Sequence, residues 1–205
     1  VKVAEAVSQM VRNQGRTETP KFFLFPQILI ATNVKELKYG TMLTPSKFYT
    51  HWKEKDADPE IFDRAVSEII NKPVDPEVVS QIARDLTRLD FIQPQETQKD
   101  TKPDGSAALR EIRNVTEQDR GIYSLLRPER MLDLVRNFIL YDNGIKKIAR
   151  YQQYFAIKKA LARLKTFDEY GRRRGGLIWH TQGSGKSLTM VMLVKGLIDD
   201  PDIEL

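Results

Sequence analysis

Residues 175–198 have the sequence GGLIWHTQGSGKSLTMVMLVKGLI. The apolar run 177–179, which follows two glycines, is typical of a short buried strand. The segment 188–198 is apolar on most faces, as a helix packed against a sheet would be, and Asp199 and Pro201 favour its end. A strand, a glycine-rich loop and a helix in this order predict an α/β fold with a phosphate-binding loop.

The loop between this strand and helix contains the residue types that bind nucleotide phosphates. Glycines allow positive φ angles, so successive backbone N–H groups can point into one concavity at the start of the following helix. We expect Lys186 to reach the β- and γ-phosphates and the Ser187 hydroxyl to coordinate Mg²⁺. The motif is incomplete, because His180 replaces its first glycine, although Gly183 adds one inside the loop. The candidate binding residues are Thr181, Gln182, Gly183, Ser184, Gly185, Lys186 and Ser187.

The composition of the 205-residue chain excludes several classes of protein. It has no cysteine and two histidines, which excludes disulfide scaffolds, thiolate zinc sites, cysteine nucleophiles and histidine-rich metal sites. No window approaches ~18 consecutive apolar residues, so we expect no membrane span. The start VKVAE lacks an initiator Met and carries an acid, so it is unlike a secretory signal. The absence of cysteine fits the reducing environment of a cytoplasm.

Apolar periodicity and turn residues predict a mainly helical chain with a few strands elsewhere. Helices are expected at 1–14, at 45–52, from Asp58-Pro59, from Asp75-Pro76, from Thr116, from Arg127-Pro128 and at 146–165. Strands are expected at 21–32, 39–43 and 138–141. Residues 93–106 contain no apolar side chain and are predicted to be a solvent-exposed loop.

Basic residues are concentrated just before the glycine loop. Residues 146–174 contain ten Lys or Arg side chains and two carboxylates, whereas the whole chain has a net charge of +5. Such a segment could contact a nucleic acid backbone or nucleotide phosphates. A solvated helix face is an equally simple explanation, and the sequence leaves both open.

Three segments, 137–141 (NFILY), 147–156 (KIARYQQYFA) and 176–187 (GLIWHTQGSGKS), are recognisable together. They resemble the R (restriction) subunit of type I restriction-modification enzymes. The resemblance implies the end of a PD-(D/E)xK-type nuclease domain in residues 1–125, followed by the start of a RecA-like P-loop motor domain in residues 126–205. It implies a prokaryotic type I site-specific deoxyribonuclease that uses ATP and Mg²⁺ to translocate double-stranded DNA. The resemblance also implies assembly with methyltransferase (M) and specificity (S) subunits.

The resemblance assigns a role to one of two adjacent glutamines. Residues 150–156 match the R-x-x-Q-x-x-A element that precedes the phosphate loop in superfamily 2 motors. This match implies that Gln153, and not its neighbour Gln152, contacts adenine, since an amide can both donate to and accept from the edge of the base. A helix-surface amide without such a role is the alternative.

The resemblance to the nuclease domain rests on fewer matching residues than the resemblance to the motor domain. Gln9 matches the glutamine of the family's Q-x-x-x-Y helix, but Asn13 stands where tyrosine is usual. Gln9 and Lys186 are therefore the candidate catalytic residues. The family's metal-binding carboxylates have no counterpart in this sequence, and 18 residues follow Ser187. We accordingly expect the chain to be an internal part of a longer protein and to be inactive by itself.

Two other functions remain open from the sequence. A small-molecule kinase or another nucleotide-binding enzyme would also use such a loop, but usually near the start of its domain, whereas about 175 residues precede it here. A DNA- or partner-binding module without catalysis would use the basic segment, and salt-dependent DNA binding without any ATP dependence would favour it.

Overall fold

The chain folds into α-helices and two short antiparallel hairpins. The computed structural model describes residues 2–54, 57–73, 75–88, 113–179, 181–183 and 185–203. In chain order the elements are α1 (Val3–Arg12), β1 (Leu29–Asn33), β2 (Glu36–Gly40), α2 (Pro59–Ile70), α3 (Pro76–Arg88), α4 (Glu117–Leu126), α5 (Pro128–Asn137), β3 (Ile139–Asp142), β4 (Ile145–Ile148), α6 (Tyr151–Leu164) and α7 (Lys186–Ile198). The predicted loop at 93–106 lies outside the described residues.

Two compact units divide the chain. One consists of Val1–Asp58 together with Thr116–Leu205, and the other consists of Pro59–Val115. The second unit contains α2 and α3, which begin at the two predicted Asp-Pro pairs. Asp75 caps α3, because its Oδ1 accepts a hydrogen bond of 2.8 Å from the backbone N–H of Glu77.

The first unit is held together by a core whose members are distant in the sequence. Its buried residues are Leu37, Tyr39, Trp52, Leu125, Leu134, Phe138, Ala149, Tyr154, Ile157 and Met192. The Tyr39 side chain of β2 is fully buried, and its hydroxyl donates a 2.8 Å hydrogen bond to the Ala149 carbonyl just after β4. This bond satisfies a polar atom in the core and ties the first hairpin to the second. A smaller cluster joins α1 to β1 through Val3, Val7, Phe23, Leu29, Ala31 and Tyr49.

A buried ion pair joins the chain segment after β2 to α5. The Glu54 carboxylate accepts from Arg130 at 3.1 and 3.5 Å, from Arg127 at 3.3 Å and from the Trp52 indole N–H at 3.2 Å. The Arg130 guanidinium also lies over the rings of Trp52, Tyr154 and Phe155, 4.5–5.3 Å from their centroids. The cation is therefore enclosed by a carboxylate on one side and by aromatic faces on the others, an arrangement that offsets its desolvation.

Most predicted helices are confirmed, including α1, α4 behind its Thr116 cap, and α5 with Pro128 at its first position. The predicted strand at 21–32 is wrong over its first half, where a 3₁₀ helix spans Pro20–Leu24 before β1. Proline suits the first turn of a helix, because its φ is already helical and its missing N–H would have no partner there. The short helix expected at 45–52 is a 3₁₀ helix, Ser46–Phe48.

The boundary of the predicted helix 146–165 is also wrong at its start. Residues 145–148 form β4, which pairs with β3, and α6 begins at Tyr151. Asn143 and Gly144, with φ of +50° and +77°, form the turn between the two strands. Two consecutive left-handed residues match the twist of a tight hairpin and return the chain along β3.

The predicted strand at 177–179 is wrong for the described part of the chain. No strand is found there, and the side chains of Leu177 and Trp179 are 87% and 85% exposed. A strand forms only when a neighbouring strand supplies partners for its backbone N–H and C=O groups. The described residues contain only the β1–β2 and β3–β4 sheets, and neither lies beside this segment. The mixture of helices and strands is nevertheless compatible with an α/β fold.

The sequence predicts no membrane-spanning segment, and the helices of the structure can be compared with that prediction. Within the described ranges, every helix is too short or too polar to cross a bilayer.

Candidate functional site

The glycine loop has the backbone conformation that the sequence predicts. Gly183 and Gly185 have φ of +75° and +85°, in the left-handed region that side chains with a Cβ rarely adopt. Gly185 is the N-cap of α7, and Lys186 and Ser187 are the first two residues of that helix. The first backbone N–H groups of an α-helix point out of its N-terminus, where the helix dipole favours an anion.

The side chains around the loop are accessible. Thr181, Gln182, Lys186 and Ser187 are exposed. Ser184, also predicted to bind the nucleotide, lies outside the described residues, as does His180. The described part of the loop therefore presents a lysine and a hydroxyl at the start of a 13-residue helix, the arrangement expected of a phosphate site.

The carbonyl of Gly185 is a fixed point of this loop. It accepts hydrogen bonds from the Gln153 amide Nε2 at 3.0 Å, from the Thr189 N–H at 3.1 Å and from the Thr189 hydroxyl at 3.2 Å. A Cβ at position 185 would lie 2.8 Å from Gln153 Nε2. Glycine is thus favoured here by its left-handed φ, and a Cβ would displace the glutamine amide that bonds to the Gly185 carbonyl.

Gln153 connects the loop to α6. Its side chain is buried, and its Oε1 accepts a 2.9 Å hydrogen bond from the backbone N–H of Arg150, which caps the first turn of α6. These two bonds leave the amide one further N–H and one further lone pair. Gln152 is exposed. Gln153 is therefore the member of the pair that faces the loop, while its contact with adenine stays a prediction.

A cavity of about 340 Å³ adjoins Gln153 and the loop glycines. Arg150, just before α6, and Leu188 of α7 are among its lining residues. Gly40 at the end of β2 and Phe48 of the 3₁₀ helix Ser46–Phe48 line the same cavity. Sequence reasoning missed this contribution, because nothing in residues 39–50 indicates that they meet a loop more than 130 residues later in the chain.

The basic segment before the loop is largely occupied by contacts within the chain. Lys158 lies 3.1 Å from Asp133, and Lys165 lies 2.9 Å from both Asp200 and Asp202. Hydrogen bonds that Lys165 donates to Asp200 and then to Asp202 raise the pKa of Lys165, and the Lys165 ammonium in turn holds the pKa of Asp200 below its usual value. These pairs favour a structural role for part of the segment over phosphate binding.

In the turn at 168–173, charged side chains are likewise paired within the chain. Arg172 Nε lies 3.1 Å from an Asp168 oxygen, and hydrogen bonds from the backbone of Arg172 and Tyr170 outweigh desolvation to lower the pKa of Asp168. Arg173 donates to the carbonyls of Leu164 and Asp202.

A second network of ionisable groups lies in the core behind α6. The Tyr154 hydroxyl donates a 2.7 Å hydrogen bond to Asp133, which also accepts from Asn137 and Lys158. Burial alone would raise the pKa of Asp133, but these three donors outweigh it and lower the pKa. Burial and the bond to the carboxylate raise the pKa of Tyr154.

The candidate nuclease residue lies apart from this loop in the sequence. Gln9 is on α1 and its side chain is exposed. Among the described residues, no group of three or more histidine, aspartate or glutamate side chains is arranged to hold a metal ion.

Parts of the chain are similar to known proteins. The family model of SWI2/SNF2 ATPases matches residues 152–204, which contain α7 and most of α6. The chain is 40% identical over 86 residues to the type I restriction enzyme HindI endonuclease subunit of Haemophilus influenzae, covering 39% of this chain and 8% of that protein. The resemblance to endonuclease (R) subunits of type I restriction enzymes is thereby confirmed.

Two Methanocaldococcus jannaschii proteins, described as type I restriction enzyme endonuclease subunits, extend this similarity. MjaVIIP is 40% identical over 86 residues, covering 38% of this chain and 8% of that protein. MjaIXP is 24% identical over 190 residues, which cover 91% of this chain and 15% of that protein. The chain thus matches a small part of the length of these relatives. No solved structure matches it significantly.

Proposed function

We propose that residues 181–187 bind the phosphates of ATP with Mg²⁺, within an R subunit that translocates double-stranded DNA and cleaves it. The observation that carries the proposal is Gly185, whose left-handed backbone begins α7 and whose carbonyl is held by Gln153. This bond holds Gly185 at the start of α7. A helix start that is already fixed can bind phosphate without first ordering that part of the chain.

Each residue of the site has a defined task in this proposal. The N–H groups at the start of α7 bind the β-phosphate, and the Lys186 ammonium neutralises charge on the β- and γ-phosphates. The Ser187 hydroxyl completes the coordination of Mg²⁺, which offsets charge on the leaving group. Gln153 uses its remaining N–H and lone pair to contact the edge of adenine.

The wider assignment follows the relatives, which are named as endonuclease subunits of type I restriction enzymes. We propose double-stranded DNA as substrate and methyltransferase (M) and specificity (S) subunits as partners, in a prokaryotic cytoplasm. Residues 1–125 would belong to the nuclease domain, with Gln9 at its active site, and residues 126–205 to the first motor domain.

Equilibrium binding of Mg·ATP to the chain tests the loop assignment. We expect Lys186→Ala to weaken binding of ATP and of inorganic tripolyphosphate together, because the lysine contacts phosphate. Lys35→Ala, which removes an equal charge from the exposed turn between β1 and β2, is the matched control and should change neither. Equal affinity of the Lys186→Ala and parent chains for tripolyphosphate would contradict the assignment.

The adjacent glutamines provide a second matched pair. We expect Gln153→Ala to reduce the preference for ATP over GTP and CTP, whereas Gln152→Ala should keep it, since Gln152 is exposed. If both variants discriminate like the parent, Gln153 does not contact the base. Binding of DNA that depends on salt and not on ATP would instead favour a DNA-binding module built on residues 146–174.

A further inference from the structure

We propose that the segment 39–50, which forms the end of β2 and the following 3₁₀ helix, is the wall of the nucleotide site that faces the base, and that Phe48 stacks on adenine. The inference rests on the proposed function, since it names the part of the chain that receives the base of a nucleotide bound at the glycine loop. It concerns residues outside 152–204, the segment that matches the ATPase family.

The cavity brings this wall and the loop to one site. Gly183, Gly185, Gln153, Pro45 and Phe48 all line the same space of about 340 Å³. A volume of this size lies within the range of small-molecule sites and admits a planar purine. A nucleotide with its phosphates at the start of α7 would therefore extend its base toward Phe48.

The chemistry of the lining suits a heterocyclic base. The walls are largely apolar, with Phe48, Pro45, Ile145, Ile148 and Leu188 among their residues. A base has an apolar face and a polar edge, so it needs a flat apolar surface and one group that both donates and accepts hydrogen bonds. Phe48 supplies the surface, and the Gln153 amide supplies the polar group.

Phe48 is placed to accept a stacking partner. Its side chain is 49% exposed, although it lies at the edge of a cavity, and the Lys47 ammonium lies 5.0 Å from its ring centroid. Covering the exposed face with a base removes apolar surface from water and adds a π-stacking contact. Lys47 adds a positive charge close to the ring that the nucleotide approaches.

The wall is rigid because β2 is anchored to the second hairpin. The Tyr39 hydroxyl bonds to the Ala149 carbonyl, and the buried Thr41 hydroxyl bonds to the Lys146 carbonyl. Tyr39 and Thr50 also exchange two backbone hydrogen bonds of 2.8 and 3.1 Å, which close the loop that carries Phe48. A surface fixed in this way can bind a base without a large loss of conformational freedom.

Calorimetric titration with two ligands tests this wall. Mg·ATP occupies both the loop and the base pocket, whereas inorganic tripolyphosphate with Mg²⁺ occupies the loop alone. We expect Phe48→Ala to weaken ATP binding about tenfold, as loss of one stacked base does, and to leave tripolyphosphate binding within about twofold of the parent. Phe48→Trp should retain ATP binding, because indole offers an equal or larger stacking face.

Phe167→Ala is the matched control. Phe167 is 53% exposed and has the Arg173 guanidinium 5.1 Å from its centroid, but it does not line the cavity. It should change the affinity of neither ligand. The inference is overturned if Phe48→Ala leaves ATP affinity unchanged, or if it weakens ATP and tripolyphosphate equally.

The proposed function fails by a different result. If the parent chain binds neither ligand, or if Lys186→Ala leaves tripolyphosphate binding intact, the loop is not the phosphate site. The assignment of segment 39–50 as the wall that faces the base is then wrong as well. If tripolyphosphate binds through Lys186 while Phe48 has no effect on ATP, only the base wall is wrong.

Discussion

Replacing Glu54 with glutamine would leave the Arg130 cation buried without its counter-charge. Glutamine keeps the volume of the side chain and one carbonyl acceptor, so packing around it changes little. The side chains of Arg130 and Glu54 are 7% and 10% exposed, which means that water cannot replace the lost carboxylate. We therefore expect the substitution to destabilise the first unit mainly through electrostatics.

The size of the effect follows from this burial. Removing one partner of a buried ion pair costs about 3–5 kcal/mol of unfolding free energy. The three aromatic faces around Arg130 still attract its charge, and the new amide accepts one hydrogen bond, so the lower end applies. We predict a loss of about 3 kcal/mol for Glu54→Gln.

Glu117→Gln is the matched control, because Glu117 and Arg120 form a pair of 2.7 Å with side chains 59% and 32% exposed. A surface pair of this kind contributes at most about 0.5 kcal/mol. Both variants can be compared by urea unfolding, followed by the fluorescence of the buried Trp52 against the constant signal of the exposed Trp179. At a typical slope of ~2 kcal/mol per molar urea, Glu54→Gln should lower the midpoint by about 1.5 M.

A double variant makes the reasoning refutable in two ways. Glu54→Leu combined with Arg130→Met removes the buried cation with its counter-charge and should recover part of the lost stability, since apolar side chains of similar size replace many buried pairs without loss. Recovery is incomplete, because Arg127 and the Trp52 indole N–H lose their acceptor on Glu54. A midpoint for Glu54→Gln equal to that of Glu117→Gln would show that Arg130 is not dependent on its counter-charge. A double variant less stable than Glu54→Gln would contradict the account as well.

Three other outcomes are expected. Gly185→Ala should weaken ATP binding, because its Cβ would lie 2.8 Å from Gln153 Nε2 and displace that amide from the Gly185 carbonyl. Gly171→Ala, at a φ of +72° with no atom within 4 Å, should carry only backbone strain and bind ATP normally. Burial raises the pKa of Tyr39, so its contribution to stability is present below about pH 10 and is lost as the pH rises further, at about 1.4 kcal/mol per pH unit. Urea titrations at rising alkaline pH should show a shallower decline for Tyr39→Phe. Because the pKa of Asp133 is lowered in the folded state, its carboxylate stabilises the fold above about pH 4, and this contribution is lost as the pH falls further. In acid unfolding, Asp133→Asn should therefore lose less stability than the parent chain as the pH falls.

Local signals in the sequence predicted many elements correctly. The Thr116 cap and Pro128 mark the starts of α4 and α5, because caps and first-turn prolines act within a few residues of the chain. The pair Asn143-Gly144 is also a local signal, typical of a two-residue hairpin turn. The helix predicted at 146–165 is wrong at its start, because residues 145–148 form the strand β4 after this turn. The strand expected at 177–179 had the right composition, but composition does not provide the neighbouring strand it needs.

The sequence by itself determined the glycine loop and the helix that follows it, because both depend on residue types within one short segment. The match to the R-x-x-Q-x-x-A element predicted a role for Gln153. Only the tertiary structure decided what surrounds them: the clamp from Gln153 to Gly185, the enclosure of Arg130 by Glu54 and three aromatic rings, and the wall that carries Phe48. These contacts join positions 32, 76 and more than 100 residues apart. Such pairings depend on how apolar faces of separate elements are buried together, and no periodicity within a single segment records that choice.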